Sequence, residues 1–182
     1  MAFFKLSWVQ FYKDCLYLGK KIKESKIKID KLIAISRGGL VPARILSDFL
    51  TLPVSNIIIS SYINLKQLKE PEIIEVTEVN LKSKSILIVD EVSDTGKTFI
   101  RTLNYFKKKS VKNIFTCAPY IKPRTRFVPN FYQRTINAWI VFPYDLRETY
   151  EALLKEEKNK EKAEEKLSKI GFKKWEIKLL NF

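Results

Sequence analysis

Apolar runs and helical stripes alternate along this chain, and the alternation predicts a repeated strand-and-helix order. Leu32-Ile33-Ala34-Ile35 closes a strand from Lys31 to Ile35, and Ile86-Leu87-Ile88-Val89 forms another. Each is too short for a helix and has no polar alternation, which is how a strand buried on both faces of a parallel sheet reads. Val54 to Ser60, Ile114 to Ala118 and Asn137 to Pro143 add three more strands, the last of them the final core strand. Ile73 to Val79 alternates polar and apolar residues as a strand, after a polar stretch from Ile63 to Glu72 that predicts a long loop. Helical spacing appears at Trp8 to Lys26, where Ser7 is the N-cap and Val9, Tyr12, Leu16 and Ile22 form the apolar stripe. It recurs from Val41 to Leu50, and from Phe99 through Leu103 and Phe106 to the basic end Lys107-Lys108-Lys109. The order predicts an α/β domain with a mostly parallel sheet flanked by helices.

Chemistry gathers where two of these strands give way to helices. Asp90 and Glu91 end the apolar strand, and Ser93-Asp94-Thr95-Gly96-Lys97-Thr98 leads into the next helix. In an open α/β sheet this is the carboxyl edge, where ligands bind. Backbone N–H groups of Thr95 to Thr98, with two hydroxyls, Lys97 and the positive helix end, suit a phosphate. The two acids suit sugar hydroxyls or a hydrated metal instead. Gly-Lys-Thr is not the tail of an ATP-type P-loop, because that motif needs a glycine where Glu91 stands. The second joint is Ser36-Arg37-Gly38-Gly39, whose glycines admit a ligand close to the backbone and whose arginine offers a fork of donors to phosphate oxygens.

Composition narrows the chemistry further. The chain has 182 residues, enough for one domain with a real core, and its 34 Lys plus Arg against 20 Asp plus Glu leave a formal charge of +14. Anionic partners follow: nucleic acid, a membrane surface or a phosphorylated small molecule. With no histidine, a histidine-based triad is excluded and a zinc site of the usual kind is disfavoured. Cys15 and Cys117 lack metal or redox spacing and are expected reduced and buried. No apolar run approaches the length of a membrane span, and no leader pattern opens the chain, so a cytoplasmic protein without membrane contact is expected. Arg147 to Lys169 reads as one long charged helix, and the tail beyond it, with Phe172, Trp175, Ile177, Leu179 and Leu180, is expected to dock on the body or on a partner.

The stretch IVDEVSDTGKT, an apolar strand, an acid pair and a D-T-G-x-T loop in register, resembles the phosphoribosyl pyrophosphate signature of the type I phosphoribosyltransferases. SRGGLVPARIL resembles the pyrophosphate loop of the same family, in particular of its xanthine-guanine and hypoxanthine-guanine purine branch. The resemblance covers about residues 8–150 and implies the type I phosphoribosyltransferase fold, a twisted, mostly parallel sheet with a flexible hood loop. It implies a domain at residues 1–150 and a charged helical appendage at 151–182 packed on the body or on a partner subunit.

Roles are implied residue by residue. Asp90 and Glu91 would hold the ribose hydroxyls, Glu91 standing where purine members usually carry Asp. Asp94, Thr95, Gly96, Lys97 and Thr98 would wrap the 5-phosphate, with Asp94 also the acid/base near N7 of a purine. Ser36, Arg37, Gly38 and Gly39 would meet the diphosphate, and Lys66 or Lys69, in a hood over the Ile63 to Glu72 stretch, would reach it. In IKPRTRFVP and AWIVFPYD, Lys122 would donate to O6 of the base, Trp139 would lie on its ring, Ile140 would offer backbone groups to its edge, and Asp145 would lie near magnesium. The implied activity is that of a magnesium-dependent glycosyltransferase (a pentosyltransferase) of purine salvage. It joins phosphoribosyl pyrophosphate to guanine, hypoxanthine or xanthine, releases a nucleoside monophosphate and diphosphate, and works as a homodimer or homotetramer. Two alternatives stay open. One is an adenine phosphoribosyltransferase on the same framework. The other is a regulator of this fold that binds nucleic acid, disfavoured because a sensor has no need of Asp94.

Overall fold

The computed structural model describes residues 2–63, 66–76 and 80–180, with backbone alone for residues 60–63 and 66–71. In chain order the elements are β1 (Phe3–Lys5), α1 (Trp8–Glu24), β2 (Lys31–Ser36), α2 (Leu40–Leu50), β3 (Val54–Ile63), β4 (Lys66–Val76), β5 (Ser85–Val89), β6 (Val92–Ser93) and α3 (Lys97–Phe106). They continue with β7 (Asn113–Ile121), β8 (Phe131–Thr135), β9 (Trp139–Val141), α4 (Leu146–Glu157), α5 (Lys160–Ile170) and α6 (Lys174–Lys178). By their contacts these fall into two units, Tyr12–Asn137 and the pair of segments up to Phe11 and from Ala138 onward.

In the Tyr12–Asn137 unit the sheet runs β4-β3-β2-β5-β7, with β6 and β8 both paired to β7. β2, β3, β5, β6, β7 and β8 are mutually parallel, and among the described strands of this sheet only β4 is antiparallel. The period-2 alternation of the strands divides their side chains between two apolar layers. Leu32, Ala34, Leu87 and Val89 face Leu18 and Ile22 of α1 and Ala43 and Leu46 of α2. Ile33, Ile35, Ile86 and Ile88 face Phe99 and Phe106 of α3. Helices on both faces make the uniformly apolar strands necessary, as the sequence pattern implied. Both cysteines are free and buried, as expected.

Several expectations need correction. On α1 the buried apolar side chains are Phe11, Cys15, Leu18 and Ile22, while Val9 and Tyr12 are exposed by 65% and 51%. The helix carries two apolar stripes, and the one with Phe11 packs inward; Ser7 caps it as expected, its Oγ accepting from Gln10 N at 3.1 Å. β3 and β4 stay paired out to Ile63 and Lys66, so the arms of the Ile63 to Glu72 stretch are strand rather than loop, and residues 64–65 lie outside the described residues. The last residues of the expected Ile73 to Val79 strand lie outside the described residues. β7 runs on through Pro119 to Ile121.

A buried polar cluster ties α1 to the sheet. Tyr120 Oη donates to Asp14 Oδ2 at 2.8 Å, and Arg134 Nε donates to Asp14 Oδ1 at 3.0 Å. Burial first, and then the Asp14 carboxylate, push the Tyr120 phenol well up, so it remains a donor throughout the working pH range. Tyr120→Phe leaves a buried carboxylate short of a donor and is expected to cost about 1–3 kcal/mol of stability. Urea unfolding measures this, and a change within a few tenths of a kcal/mol would show that the bond contributes nothing.

The second unit is built on its own cluster. β9 pairs in parallel with β1 in a two-stranded sheet, so Asn137 to Pro143 is not a strand of the main sheet as expected. Val141, Tyr150, Leu153, Ala163, Leu167, Phe172, Ile177 and Leu180 form the core here. The charged segment is two helices rather than one. Lys158 ends α4 in the left-handed conformation (φ 51°), and Asn159 caps α5 by accepting from Lys162 N at 2.9 Å. Phe172, Ile177 and Leu180 of the tail are buried against α4 and α5, while Trp175 and Leu179 stay exposed.

Candidate active site

β5 and β6 are two parts of one line along β7: Val89 pairs with Cys117 and Val92 with Tyr120, without a shift of register. The line breaks only at Asp90 and Glu91. The break turns the two carboxylates out of the ladder at the carboxyl edge, while Asp90 N still donates to Cys117 O at 3.1 Å.

β2 ends next to them, paired with β5. Its loop follows at once: the Ser36–Arg37 peptide bond is cis, Asn56 Nδ2 donates to Ser36 Oγ at 3.3 Å, and Gly39 N-caps α2. The two joints meet. A Cβ at Gly38 would lie 2.0 Å from the Glu91 carboxylate, so the glycine makes room for an acid from the other strand tip. Gly39 makes room for backbone, since a Cβ there would stand 2.4 Å from Val89 O and 2.6 Å from Ile35 O. Because those carbonyls cannot swing away, Gly39→Ala is expected to cost about 3 kcal/mol, at the upper end for overpacking. A thermal melt matching that of the unaltered protein would refute this.

The acid pair is electrostatically costly. Burial, and then the adjacent Glu91 carboxylate, push the Asp90 carboxyl well above the usual carboxylate range. Oε2 of Glu91 is buried with no hydrogen-bond partner among the described residues. A cation or a pair of hydroxyl donors would relieve both conditions, so this donor set fits magnesium or a sugar edge. Among the described residues no three acids or cysteines gather as a metal cage. A magnesium ion here would take part of its shell from a phosphorylated ligand, as this ion usually does.

Gly96, at φ 83°, N-caps α3 in a conformation glycine adopts freely, and the first N–H groups of α3 have no intrahelical carbonyl to meet. α3 therefore begins at Lys97, two residues before the expected Phe99. A Cβ at Gly96 would stand 2.6 Å from Phe127 Cβ, and the Phe127 ring stacks on Phe99 with centroids 5.3 Å apart. The turn bearing Lys122 is fastened to this loop at four points. Lys122 N donates to Ser93 O at 3.0 Å and Arg126 N to Thr95 O at 3.1 Å. Ser93 Oγ donates to Phe127 O at 2.7 Å and lies 2.8 Å from Thr125 Oγ1. Burial lowers the pKa of the Lys122 ammonium, Asp94 opposes the shift and Arg124 adds to it.

The structure thus brings together Ser36, Arg37, Gly38, Gly39, Asp90, Glu91, the Asp94 to Thr98 loop and Lys122 within the Tyr12–Asn137 unit. The side chains of Lys66 and Lys69 lie outside the described residues. Trp139, Ile140 and Asp145 belong to the other unit, where Trp139 is 41% exposed, Ile140 is buried, and Asp145 Oδ2 accepts from Phe142 N at 3.3 Å. Sequence reasoning missed Arg124, which grips Asp94, and Ser93 and Phe127, which lock the two loops. Their partners lie about thirty residues away, and no local spacing signals such pairing.

Residues 6–151 match the family model described as the phosphoribosyl transferase domain. The chain is 36% identical to the purine phosphoribosyltransferase of Pyrococcus horikoshii, with a TM-score of 0.70, over 79% of this chain and 95% of that one. It is 25% identical to the xanthine-guanine-hypoxanthine phosphoribosyltransferase of Helicobacter pylori, at a TM-score of 0.67, over 80% and 97% of the two chains. A protein of Neisseria gonorrhoeae solved with bound ppGpp shares the fold at 24% identity and a TM-score of 0.72, over 80% and 90%. The matched region contains both strand-tip loops, the acid pair and Lys122, and with them the chain belongs to the phosphoribosyltransferase family, type I in fold and allied to its purine branch.

Proposed function

We propose that the protein transfers the 5-phosphoribosyl group of phosphoribosyl pyrophosphate to N9 of a 6-oxopurine, guanine, hypoxanthine or xanthine. One observation carries this reading: the diphosphate-type loop lies directly against the sugar-type acid pair, Gly38 leaving room for the Glu91 carboxylate, with the partly buried Lys122 in the turn fastened beside Asp94. The bond from N9 to ribose C1 forms as the bond from C1 to the diphosphate oxygen breaks, its electron pair leaving with diphosphate. Arg37 and the Gly38 N–H take up the charge that grows there, while Gly39, whose own N–H is given to Ile35 O, packs the loop against the strand tips. The N-terminus of α3 and Thr95 to Thr98 hold the 5-phosphate. Asp90 and Glu91 accept from the ribose hydroxyls or from magnesium, which when bound would neutralise donor charge and orient its phosphates. Asp94 takes the proton from the imidazole ring of the base, and Lys122 donates to O6, where adenine carries an amino group and would gain nothing from a cation.

By the family resemblance we further assign Trp139 and Ile140 to the base, Asp145 to the metal, and Lys66 or Lys69 to the diphosphate. The excess positive charge then serves a reaction whose donor and products are anionic. No described helix is long and apolar enough to cross a membrane, and we place the enzyme in the cytoplasm as a homodimer or homotetramer of purine salvage, with nucleic acid no partner. The 1–150 region acts as the transferase domain and residues 151–182 as its appendage.

Steady-state rates with adenine, guanine, hypoxanthine and xanthine, each with phosphoribosyl pyrophosphate and magnesium, test the reading. At least one 6-oxopurine is expected to exceed adenine by roughly 10²-fold or more in kcat/KM. Preference for adenine would overturn the assignment of Lys122. Absence of transfer to any base, with nucleic-acid binding that weakens as salt rises, would favour a regulator instead.

A further inference from the structure

Arg124 stands two residues past Lys122 and binds Asp94 as a fork. Its Nε donates to Oδ1 at 2.7 Å and its Nη2 to Oδ2 at 2.8 Å. Exposed ion pairs usually contribute little, because two long side chains must be held in one geometry. This pair differs in two respects. Two N–H donors on a rigid guanidinium fix the plane of a carboxylate as well as its distance, which a lysine ammonium cannot do. Both partners also hang from backbone already joined, since the turn holding Arg124 is bonded to Ser93 and Thr95 on either side of Asp94. Thr125 N, which donates to Lys122 O at 3.1 Å, closes that turn.

We propose, resting on the phosphoribosyl-transfer reading above, that Arg124 is a positioning residue for the reaction: it sets the plane of the Asp94 carboxylate toward the base. A carboxylate has two acceptor positions on each oxygen. Nε and Nη2 both close on Oδ1, at 2.7 and 2.6 Å, and Nη2 also reaches Oδ2 at 2.8 Å, so Oδ2 keeps an oriented acceptor position for the purine N–H without displacing the arginine. A carboxylate turns freely about its terminal torsion when nothing grips it, since that torsion has broad wells. Removing the fork therefore lowers the share of time Asp94 spends aligned with the base proton, while the phosphate loop, held by its own backbone bonds, stays intact.

The test uses the full chain with saturating donor, magnesium and the best 6-oxopurine. Arg124→Ala and Arg124→Lys are both expected to lower kcat by roughly 100-fold while KM for the donor stays unchanged. Millimolar guanidinium ion is expected to restore a large part of the rate to Arg124→Ala, where the vacated fork position can be refilled, and none to Arg124→Lys. Ammonium or potassium at the same concentration is expected to do nothing. Arg124 is two-thirds exposed, so neither change buries an unpaired group, and matching thermal melts identify properly folded variants. The proposal is overturned if kcat of Arg124→Ala equals or exceeds that of the unaltered enzyme. It is overturned equally if the loss falls as much on donor KM, or if guanidinium restores nothing. An unaltered enzyme that transfers to no base removes the reading of the site and this role with it; a normal enzyme indifferent to Arg124 removes this role alone.

Discussion

Asp94→Asn is expected to lower kcat by roughly 10²–10⁴-fold while leaving donor binding near its original strength. An amide is nearly the size of the carboxylate and leaves Gly96 and the start of α3 undisturbed, so the phosphate cradle should survive. What it lacks is the ability to take a proton from the base. Steady-state kinetics with the donor varied at saturating base, together with a direct binding measurement for the donor, separate the two effects. Equal losses in turnover and in donor affinity would mean that Asp94 only shapes the loop.

Lys122→Ala is expected to lower kcat/KM for 6-oxopurines by roughly 10–100-fold, the worth of a hydrogen bond from a charged donor, and to leave adenine turnover where it was. The pH profile gives a second handle. Burial lowers the pKa of Lys122, so the ammonium form is lost at a lower pH than that of an ordinary lysine. If that form donates to O6, kcat/KM for the base falls on the alkaline side as pH rises through the lowered value. Lys122→Arg keeps its charge at any accessible pH and should abolish that limb. An alkaline limb unchanged in Lys122→Arg, or an unaltered base profile in Lys122→Ala, would mark the lysine as uninvolved.

Much of the core was legible because burial leaves a compositional mark. Leu32 to Ile35 and Ile86 to Val89 are apolar without interruption, and only a strand covered on both faces needs that. Both strand-tip loops were legible for a related reason, since glycine, hydroxyl and acid in close succession suit little besides a ligand. Other features left no such mark. Val9 and Tyr12 sit at spacing as good as that of Phe11 and Cys15, and only the packed structure shows which stripe of α1 turns inward. β8, Phe131 to Thr135, escaped notice because its burial is slight and its residues are mostly polar. The break between α4 and α5 hid among charges, although Asn159 was a capping signal in plain view. Pairings such as Arg124 with Asp94 join residues that only the fold makes neighbours.

The fastening between the turn that follows Ile121 and the loop that follows Ser93 bears on how such an enzyme can diversify. An insertion or deletion in either segment would unhook bonds that hold the other, so, on the proposed assignment of base and phosphate to these two loops, nucleobase preference could not be retuned by changing loop length without loosening the phosphate grip. Diversification at this position is left to substitutions that keep the backbone as it is, which makes Arg124 and its neighbours the natural targets for laboratory redesign.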